Sequence, residues 1–224
     1  MTPEDTSGQA HVRAMQLPSF RRCLRHSAMS EEGFVGALLQ TSLSRLEAWT
    51  LPDLERLLAA SLRYNLDPTG REIFLVPDHA GGAPILVVGV DGWSRILNES
   101  KQFAGLRFRE SLELEGGIPA WIECSIFRWD RRVATTVREY LCEVRGASSA
   151  WITHPRRMLR HKAMVQCARV AFGMSDIVDP DEAARICEKL ERPSPPTHRA
   201  SKREAPKAAR RPTSVSDMRN SLKL

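Results

Sequence analysis

The stretch WITHPRRMLRHKAMVQCARVAFG, residues 151–173, is the part of the sequence that best predicts the fold. Pro155 suits the first turn of a helix and Gly173 suits its end, so we predict a long helix from about His154 to Phe172. Most positions in the second half of this helix are apolar or small, which predicts that this half is buried nearly all round. The helix is therefore expected to carry much of the core.

The same helix is unusually basic. From Pro155 to Gly173 the sequence has five lysines and arginines, one histidine and no acid. An ordinary surface helix mixes the two signs, because neighbouring opposite charges stabilise it. These cations therefore need a counter-charge from elsewhere. The basic side chains concerned are Arg156, Arg157, Arg160, His161, Lys162 and Arg169.

One polar strip runs along the mostly apolar half of the helix. Lys162, Gln166 and Arg169 recur at the spacing that places side chains on one helical face. Buried cations are costly unless they are paired. A phosphate backbone lying along the strip would pair them, and so would nearby acids. The sequence leaves both possibilities open, since the acidic stretch that follows contains Asp176, Asp179, Asp181 and Glu182.

The rest of the chain is predicted to form helices, then β-hairpins, then helices. Apolar periodicity, capping residues and turn residues predict each element in turn. The predicted elements are a helix from Glu31, a helix from about Thr50, strands 71–76 and 85–90, a short helix 91–98, strands 103–110, 121–127 and 133–144, a loop 145–150, and a last helix 179–190. This order predicts an α+β fold in which a β-hairpin sheet packs on the long basic helix, with helices at the N-terminal side.

Composition divides the chain into three predicted segments. Residues 1–30 are expected to be weakly structured, and residues 31–190 to form the core domain. Residues 191–224 are rich in proline and hold nine basic and three acidic residues, so they account for the whole net charge of +6. A segment of this composition buries too little apolar surface to fold, so we predict a disordered tail. The tail either adds non-specific DNA affinity or only keeps the protein soluble.

Several classes of chemistry lack a signal in this sequence. There is no phosphate-binding GxxxxGK[ST] loop, no GxSxG or HExxH motif and no paired-cysteine metal site. The five cysteines suggest a reducing compartment rather than a disulfide framework. No apolar run approaches the ~20 residues of a membrane span. The acids nearest the strands could hold Mg²⁺ for a nuclease but form no cluster, and they are Glu72, Asp78, Asp91 and Glu123.

Four blocks of the sequence closely resemble one protein family. They are YNLDPTGREIFLVPD (64–78), VVGVDGWSRILNESKQFAGLRF (87–108), the stretch 151–173 and DPDEAARI (179–186). In this order and at similar spacing they resemble the Bet/RecT family of phage recombination proteins, over about residues 31–190. Residues 1–30 match nothing in the family, and the family's folded C-terminal region has no counterpart here.

The resemblance implies a function that uses neither ATP nor any other cofactor. It implies a non-enzymatic, ATP-independent annealing protein that binds single-stranded DNA by its backbone, pairs complementary strands and holds the annealed duplex. Mg²⁺ is expected at most to modulate pairing. Relatives form homo-oligomeric rings or helical filaments and work beside a 5′→3′ exonuclease and the host single-strand DNA-binding protein. A phage or prophage protein of this kind is expected in the bacterial cytoplasm, without a membrane. The alternatives are a DNA-coating protein without annealing activity and a metal-dependent nuclease.

The resemblance also implies which side chains contact DNA. Arg71 and Arg156 stand where the family commonly has lysine, and His79 stands at a lysine position in the hairpin loop. An unperturbed histidine is mostly uncharged at neutral pH. The full expected DNA-binding set is Arg71, His79, Arg156, Arg157, Arg160, His161, Lys162 and Arg169. On this basis, replacing Lys162 and Arg169 with alanine is expected to abolish annealing while the fold survives.

Overall fold

A computed structural model describes residues 15–78 and 81–191, with side chains as far as residue 186. The helices are α1 (Pro18–Ser27), α2 (Glu31–Gln40), α3 (Leu51–Tyr64), α4 (Val90–Glu99), α5 (Leu141–Val144), α6 (Ser149–Thr153), α7 (Pro155–Phe172) and α8 (Pro180–Glu191). The strands are β1 (Ile73–Val76), β2 (Ile85–Val88), β3 (Phe103–Glu110), β4 (Leu114–Glu115), β5 (Ile118–Pro119), β6 (Trp121–Arg128) and β7 (Thr135–Tyr140). This mixture confirms the predicted α+β class.

The central unit is an antiparallel sheet of strand order β3–β6–β7 that packs on α7. Alternate residues of β6 point to opposite faces, and Ile122, Cys124 and Ile126 are fully buried on the side of the helix. Small side chains of α7, including Ala163, let the helix lie close to these strands. The Cys167 thiol of α7 donates a hydrogen bond to the Thr135 carbonyl of β7 over 3.1 Å. The predicted packing of hairpin strands on the long helix is therefore confirmed.

The hairpin of β1 and β2 forms a separate two-stranded sheet. Its strand β2 is joined to the chain before α8, because the Val88 amide donates to the Val178 carbonyl over 2.9 Å. Phe74, Val87 and Ala183 form a small apolar cluster between this hairpin and α8. The hairpin therefore packs against α8 and the residues just before it.

Gly92, in the first turn of α4, allows α4 to approach the β1–β2 hairpin. A Cβ atom at this position would lie 2.3 Å from the Glu72 carbonyl oxygen and 2.8 Å from Val88 Cγ1. We expect Gly92→Ala to lower the free energy of unfolding by about 1–3 kcal/mol, because backbone must move to remove the overlap. Urea unfolding measures the effect. Gly36→Ala in α2 is the matched control, since its Cβ meets nothing within 4 Å, and it should stabilise the protein by about 0.5–1 kcal/mol. Equal effects of the two changes would contradict the close approach.

The N-terminal helices show one departure from the sequence prediction. Residues 18–27, expected to be weakly structured, form α1, whose Phe20 and Cys23 are buried. The Phe20 ring lies edge-on to Phe34 of α2, with 5.2 Å between centroids. The prediction failed because basic residues surround these two apolar ones and weaken the periodic signal. The helix predicted from about Thr50 is confirmed as α3, which begins with a capping box formed by Thr50 and Asp53.

A second departure lies between the sheet and α7. The predicted strand 133–144 is shorter in the structure: β7 ends at Tyr140, and residues 141–144 form α5. Leu141 and Val144, three residues apart, are both buried, which a helical turn achieves and an alternating strand does not. The predicted loop 145–150 likewise gives way to α6 at Ser149.

Some predictions concern residues that the structure does not describe. These are the first part of the segment 1–30, residue His79 of the hairpin loop, and the tail from residue 192 onward. Among the helices that are described, none combines the length and apolar character needed to cross a membrane. Cys23, Cys124, Cys142 and Cys167 are free thiols.

Candidate functional site

The N-terminal end of α7 has no side-chain cap. Its N-cap residue, His154, makes no side-chain hydrogen bond to the amides of the first turn, and Pro155 occupies the first helical position. The imidazole instead interacts with the Thr153 hydroxyl at 2.8 Å. The first amides of a helix have no partner within the helix, and the helix dipole makes this end positive. An 18-residue helix therefore presents uncapped donors here.

Four basic side chains surround this end, and we call Arg156, Arg157, Arg160 and His161 the helix-entry cluster. Glu110, at the end of β3, forms ion pairs with both Arg156 and Arg160, the latter at 2.9 Å. The hydrogen bond from Arg156 is the main reason that the pKa of Glu110 lies below its ordinary value. Arg157 is exposed and has no ion-pair partner among the described residues. Arg156 and Arg160 thus share one carboxylate while Arg157 has none, which leaves an excess of positive charge among these ion pairs.

His161 is mostly uncharged at neutral pH, because its pKa is lowered from the ordinary value. Burial lowers its pKa from the ordinary value, and Arg157 and Arg160 lower it further by repelling a proton. The side chain lines a cavity of about 510 Å³ together with Arg157 of the cluster and Val90 and Trp93 of α4. The expected role of His161 in attracting phosphate is therefore not supported at neutral pH, where the ring acts as an uncharged wall of the cavity.

The polar strip of α7 is paired within the chain. Lys162 is only 4% exposed, and its ammonium donates to both carboxylate oxygens of Asp179, at 2.6 and 2.7 Å. Arg169 donates to Glu182 at 2.6 Å, and Gln166 donates to the same carboxylate at 3.0 Å. The interpretation of this strip as an open phosphate groove is therefore wrong. The alternative that the sequence left open, pairing by the acidic stretch, is the one observed.

Asp179 is able to pair Lys162 because it also begins α8. Its carboxylate accepts hydrogen bonds from the amides of Asp181 at 2.8 Å and Glu182 at 3.0 Å, which is the geometry of a helix N-cap. Asp181 in turn accepts the indole N–H of Trp151 at 3.0 Å. One short segment thus caps α8, pairs the Lys162 ammonium of α7 and holds the indole of a buried tryptophan.

Asp176, the first acid of the stretch, has a different role. It accepts a hydrogen bond from Arg63 of α3 at 2.6 Å and one from the Tyr64 hydroxyl. Burial together with this bond to Asp176 raises the pKa of Tyr64 to about 12. Asp176 therefore links the acidic stretch to α3, not to α7.

Arg71 lies on the turn before β1, away from the strip. It is exposed, with a backbone φ of 61°, and no ion-pair partner is found for it in the described part of the chain. Its carbonyl oxygen lies 3.1 Å from the Cβ position of Gly89, which precedes α4. Arg71 therefore lies next to the start of α4, the helix whose Val90 and Trp93 line the cavity beside Arg157.

Sequence reasoning missed two residues that organise this region. Glu110 lies some fifty positions before the arginines that it pairs, and nothing in its local sequence indicated the contact. The second residue is Trp151, whose indole N–H donates to Asp181 and holds it in place. Local patterns carry no information on either contact, because both depend on how the chain folds back.

The strand-end acids do not form a metal site. Glu72 pairs with Arg95 at 3.1 Å, and Glu123 pairs with Arg138 at 2.9 Å. In residues 15–78 and 81–186 no group of three or more histidine, cysteine or carboxylate side chains is placed to hold a metal ion. The nuclease alternative thus has no candidate centre in the described part of the chain.

The fold and this site define an α+β protein with an antiparallel sheet on a basic helix and an excess of cations at the entrance of that helix. A family model described as the RecT family matches residues 33–197, and the chain belongs to this family. It is also similar to the recombination protein bet of Escherichia phage lambda, with 44% identity over 142 residues, which cover 59% of this chain and 51% of that protein. The chain thus spans about half the length of the curated relative it matches. The resemblance inferred from the sequence is confirmed.

Proposed function

We propose that this chain is an ATP-independent annealing protein for homologous recombination, which binds single-stranded DNA and pairs complementary strands. The observation that carries the proposal is the RecT family match over residues 33–197. The name of the lambda relative, a recombination protein, supports it. The uncapped entrance of α7 and the excess of arginines around it supply a surface suited to phosphates.

In this proposal the DNA backbone lies at the helix-entry cluster. Arg157 is the leading contact, because it is exposed and has no carboxylate partner among the described residues. Arg156 and Arg160 are held by Glu110 with part of their donors still free, since a guanidinium has five N–H groups. Arg71 extends the surface past α4, whereas Lys162 and Arg169 support it from the interior. Phosphate contacts of this kind do not read sequence, which suits a protein that pairs any complementary strands.

The energy for annealing comes from base pairing itself. Stacking contributes about 1.4 kcal/mol per step, so ~15–20 matched pairs stabilise the product without ATP. One protomer covers few nucleotides, so its own contacts with DNA are weak. We propose that the protein forms a homo-oligomer, either a ring or a helical filament, in which many such contacts together bind the strand tightly. We further propose that the protein catalyses no reaction, acts in the bacterial cytoplasm, and works with a 5′→3′ exonuclease and the host single-strand DNA-binding protein.

A strand-annealing time course tests the function. Two complementary strands of about 80 nucleotides, one with a fluorophore and one with a quencher, are mixed with the full chain and no nucleotide cofactor. We expect a large rate increase over spontaneous annealing. Strands that are bound but not paired faster would show a coating protein instead. DNA cleavage on addition of Mg²⁺ or Mn²⁺, lost in Asp91→Asn, would show a nuclease.

Arg157→Ala tests where the backbone binds. We expect weaker binding to single-stranded DNA and a salt dependence whose log–log slope is smaller by about 0.7, the value for one lost phosphate contact on a single strand. Fluorescence anisotropy at several salt concentrations measures both quantities. Arg25→Ala in α1 is the matched control, because it also removes one exposed arginine. The same loss of slope in both variants would show general electrostatics rather than a site at α7.

A further inference from the structure

The three-stranded sheet has a second face that α7 does not cover. On β6 the residues between the buried ones point away from the helix, and the same alternation holds on β3 and β7. Six side chains define this outer sheet face, three basic and three aromatic: Arg107, Arg109, Trp121, Phe127, Arg138 and Tyr140. Cross-strand pairing places Trp121 opposite Tyr140, and Glu123 opposite both Arg109 and Arg138.

The arginines of this face lie over its aromatic rings. The Arg138 guanidinium carbon is 4.0 Å from the centroid of the Trp121 ring, and that of Arg107 is 5.6 Å from the centroid of Phe127. Such contacts hold a guanidinium in place without neutralising it. The planar group keeps donors free for an oxygen ligand.

The face carries an unbalanced positive charge. Glu123 lies 2.9 Å from Arg138 and 3.8 Å from Arg109, and Arg107 makes no ion pair with any described residue. Arg109 and Arg138 therefore share one carboxylate, and Arg107 adds a third positive charge that no described carboxylate pairs. The adjoining β6–β7 turn adds exposed Arg131 and Arg132 and a Trp129 side chain that is 78% exposed. A ligand that complements this surface must be negatively charged and must offer flat apolar groups.

The composition of the face favours nucleic acid over another protein subunit. Its paired outward positions hold arginine, aromatic, serine, threonine, glycine and glutamate residues, and no aliphatic side chain. Stable subunit interfaces have an apolar centre that resembles a protein core. Surfaces that bind single strands combine aromatic side chains, on which bases stack, with cations that follow the backbone. Phe127 and Tyr140 are 38% and 40% exposed, so their rings are accessible for stacking.

We propose that the outer sheet face binds a single DNA strand, with bases stacked on Phe127 and Tyr140 and phosphates at Arg107, Arg109 and Arg138. This inference rests on the proposed function and deepens it. The phosphate contacts at the helix-entry cluster are possible with single strands and duplexes alike. Stacking needs unpaired bases, so this face gives the protein its preference for single strands.

The double variant Phe127→Ala/Tyr140→Ala tests the proposal in the full chain. We expect at least a tenfold loss of affinity for an oligothymidine of about 30 nucleotides, because each lost base–aromatic stack weakens binding substantially. Affinity for a duplex of the same length should change less than twofold. Val170→Ala/Ile186→Ala is the matched control, since it removes two exposed apolar side chains from α7 and α8. Wild-type affinity of the aromatic double variant for the oligothymidine would overturn the inference.

Glu123→Gln gives an opposite and independent test. Removing the one carboxylate of the face should raise affinity for the oligothymidine about three- to tenfold and steepen its salt dependence. A purely structural role of Glu123 predicts a loss instead, and that loss would overturn the inference. If either variant self-associates more weakly but each protomer binds the oligothymidine as before, the inference would also be overturned. That result would show that the outer sheet face is a subunit interface. Failure of the wild-type chain to bind any single strand would refute the proposed function itself.

Discussion

Lys162→Met is expected to lower the free energy of unfolding by about 3–5 kcal/mol, because it leaves the buried Asp179 carboxylate without its cation. The ammonium contacts both oxygens of Asp179, and the two side chains are 5% and 6% exposed. Urea unfolding followed by circular dichroism measures the loss. This result reverses the expectation from sequence that the position could be replaced while the fold survives.

The double variant Lys162→Met/Asp179→Asn is the control for this effect. It removes both charges and keeps an N-cap for α8, because asparagine caps helices as well as aspartate does. Replacing both partners of a buried pair is often close to neutral, so we expect most of the stability to return. Where Lys162→Met is still folded, its affinity for single-stranded DNA should be near that of the wild type. A change below about 1 kcal/mol for Lys162→Met alone would contradict the buried pair.

Trp151→Ala is expected to lower the free energy of unfolding by about 3–5 kcal/mol, the usual result of removing a buried tryptophan. Trp151 is fully buried, and its indole N–H donates to Asp181 at 3.0 Å. Gly146 packs directly on the ring, since a Cβ atom there would lie 2.7 Å from Trp151 Cδ1. The residues around Trp151 therefore pack closely on its ring, and we expect a cavity to remain when the ring is replaced by alanine.

Trp151→Phe separates the hydrogen bond from the packing. It keeps most of the apolar volume and removes the donor to Asp181, so we expect a loss of about 1–3 kcal/mol. Asp181 also lies 3.5 Å from the Lys162 ammonium. The effects of Trp151→Phe and Lys162→Met should therefore not add, because both act on the same carboxylate. Strict additivity in a double-mutant cycle would show that the two contacts are independent.

The positions at which individual helices begin and end could be predicted from the sequence. Pro155 and Gly173 bound α7 as predicted, and the Thr50 and Asp53 capping box begins α3. Proline, glycine and capping residues act on their own backbone, so their effect does not depend on the rest of the fold. The RecT family was likewise recognisable from the order and spacing of four blocks.

The counter-charges of α7 were decided by tertiary structure. The sequence showed that its cations needed partners but could not choose between phosphate and protein. Glu110 and Asp179 reach Arg160 and Lys162 from positions 50 and 17 residues away along the chain. The outer sheet face arises in the same way, because Arg138 meets Trp121 only through the pairing of β6 with β7. The spacing of residues along a helix or strand determines which side chains share a face. Only the fold determines which opposite charge lies within a few ångströms of a given side chain, and charges pair strongly only at such short distances.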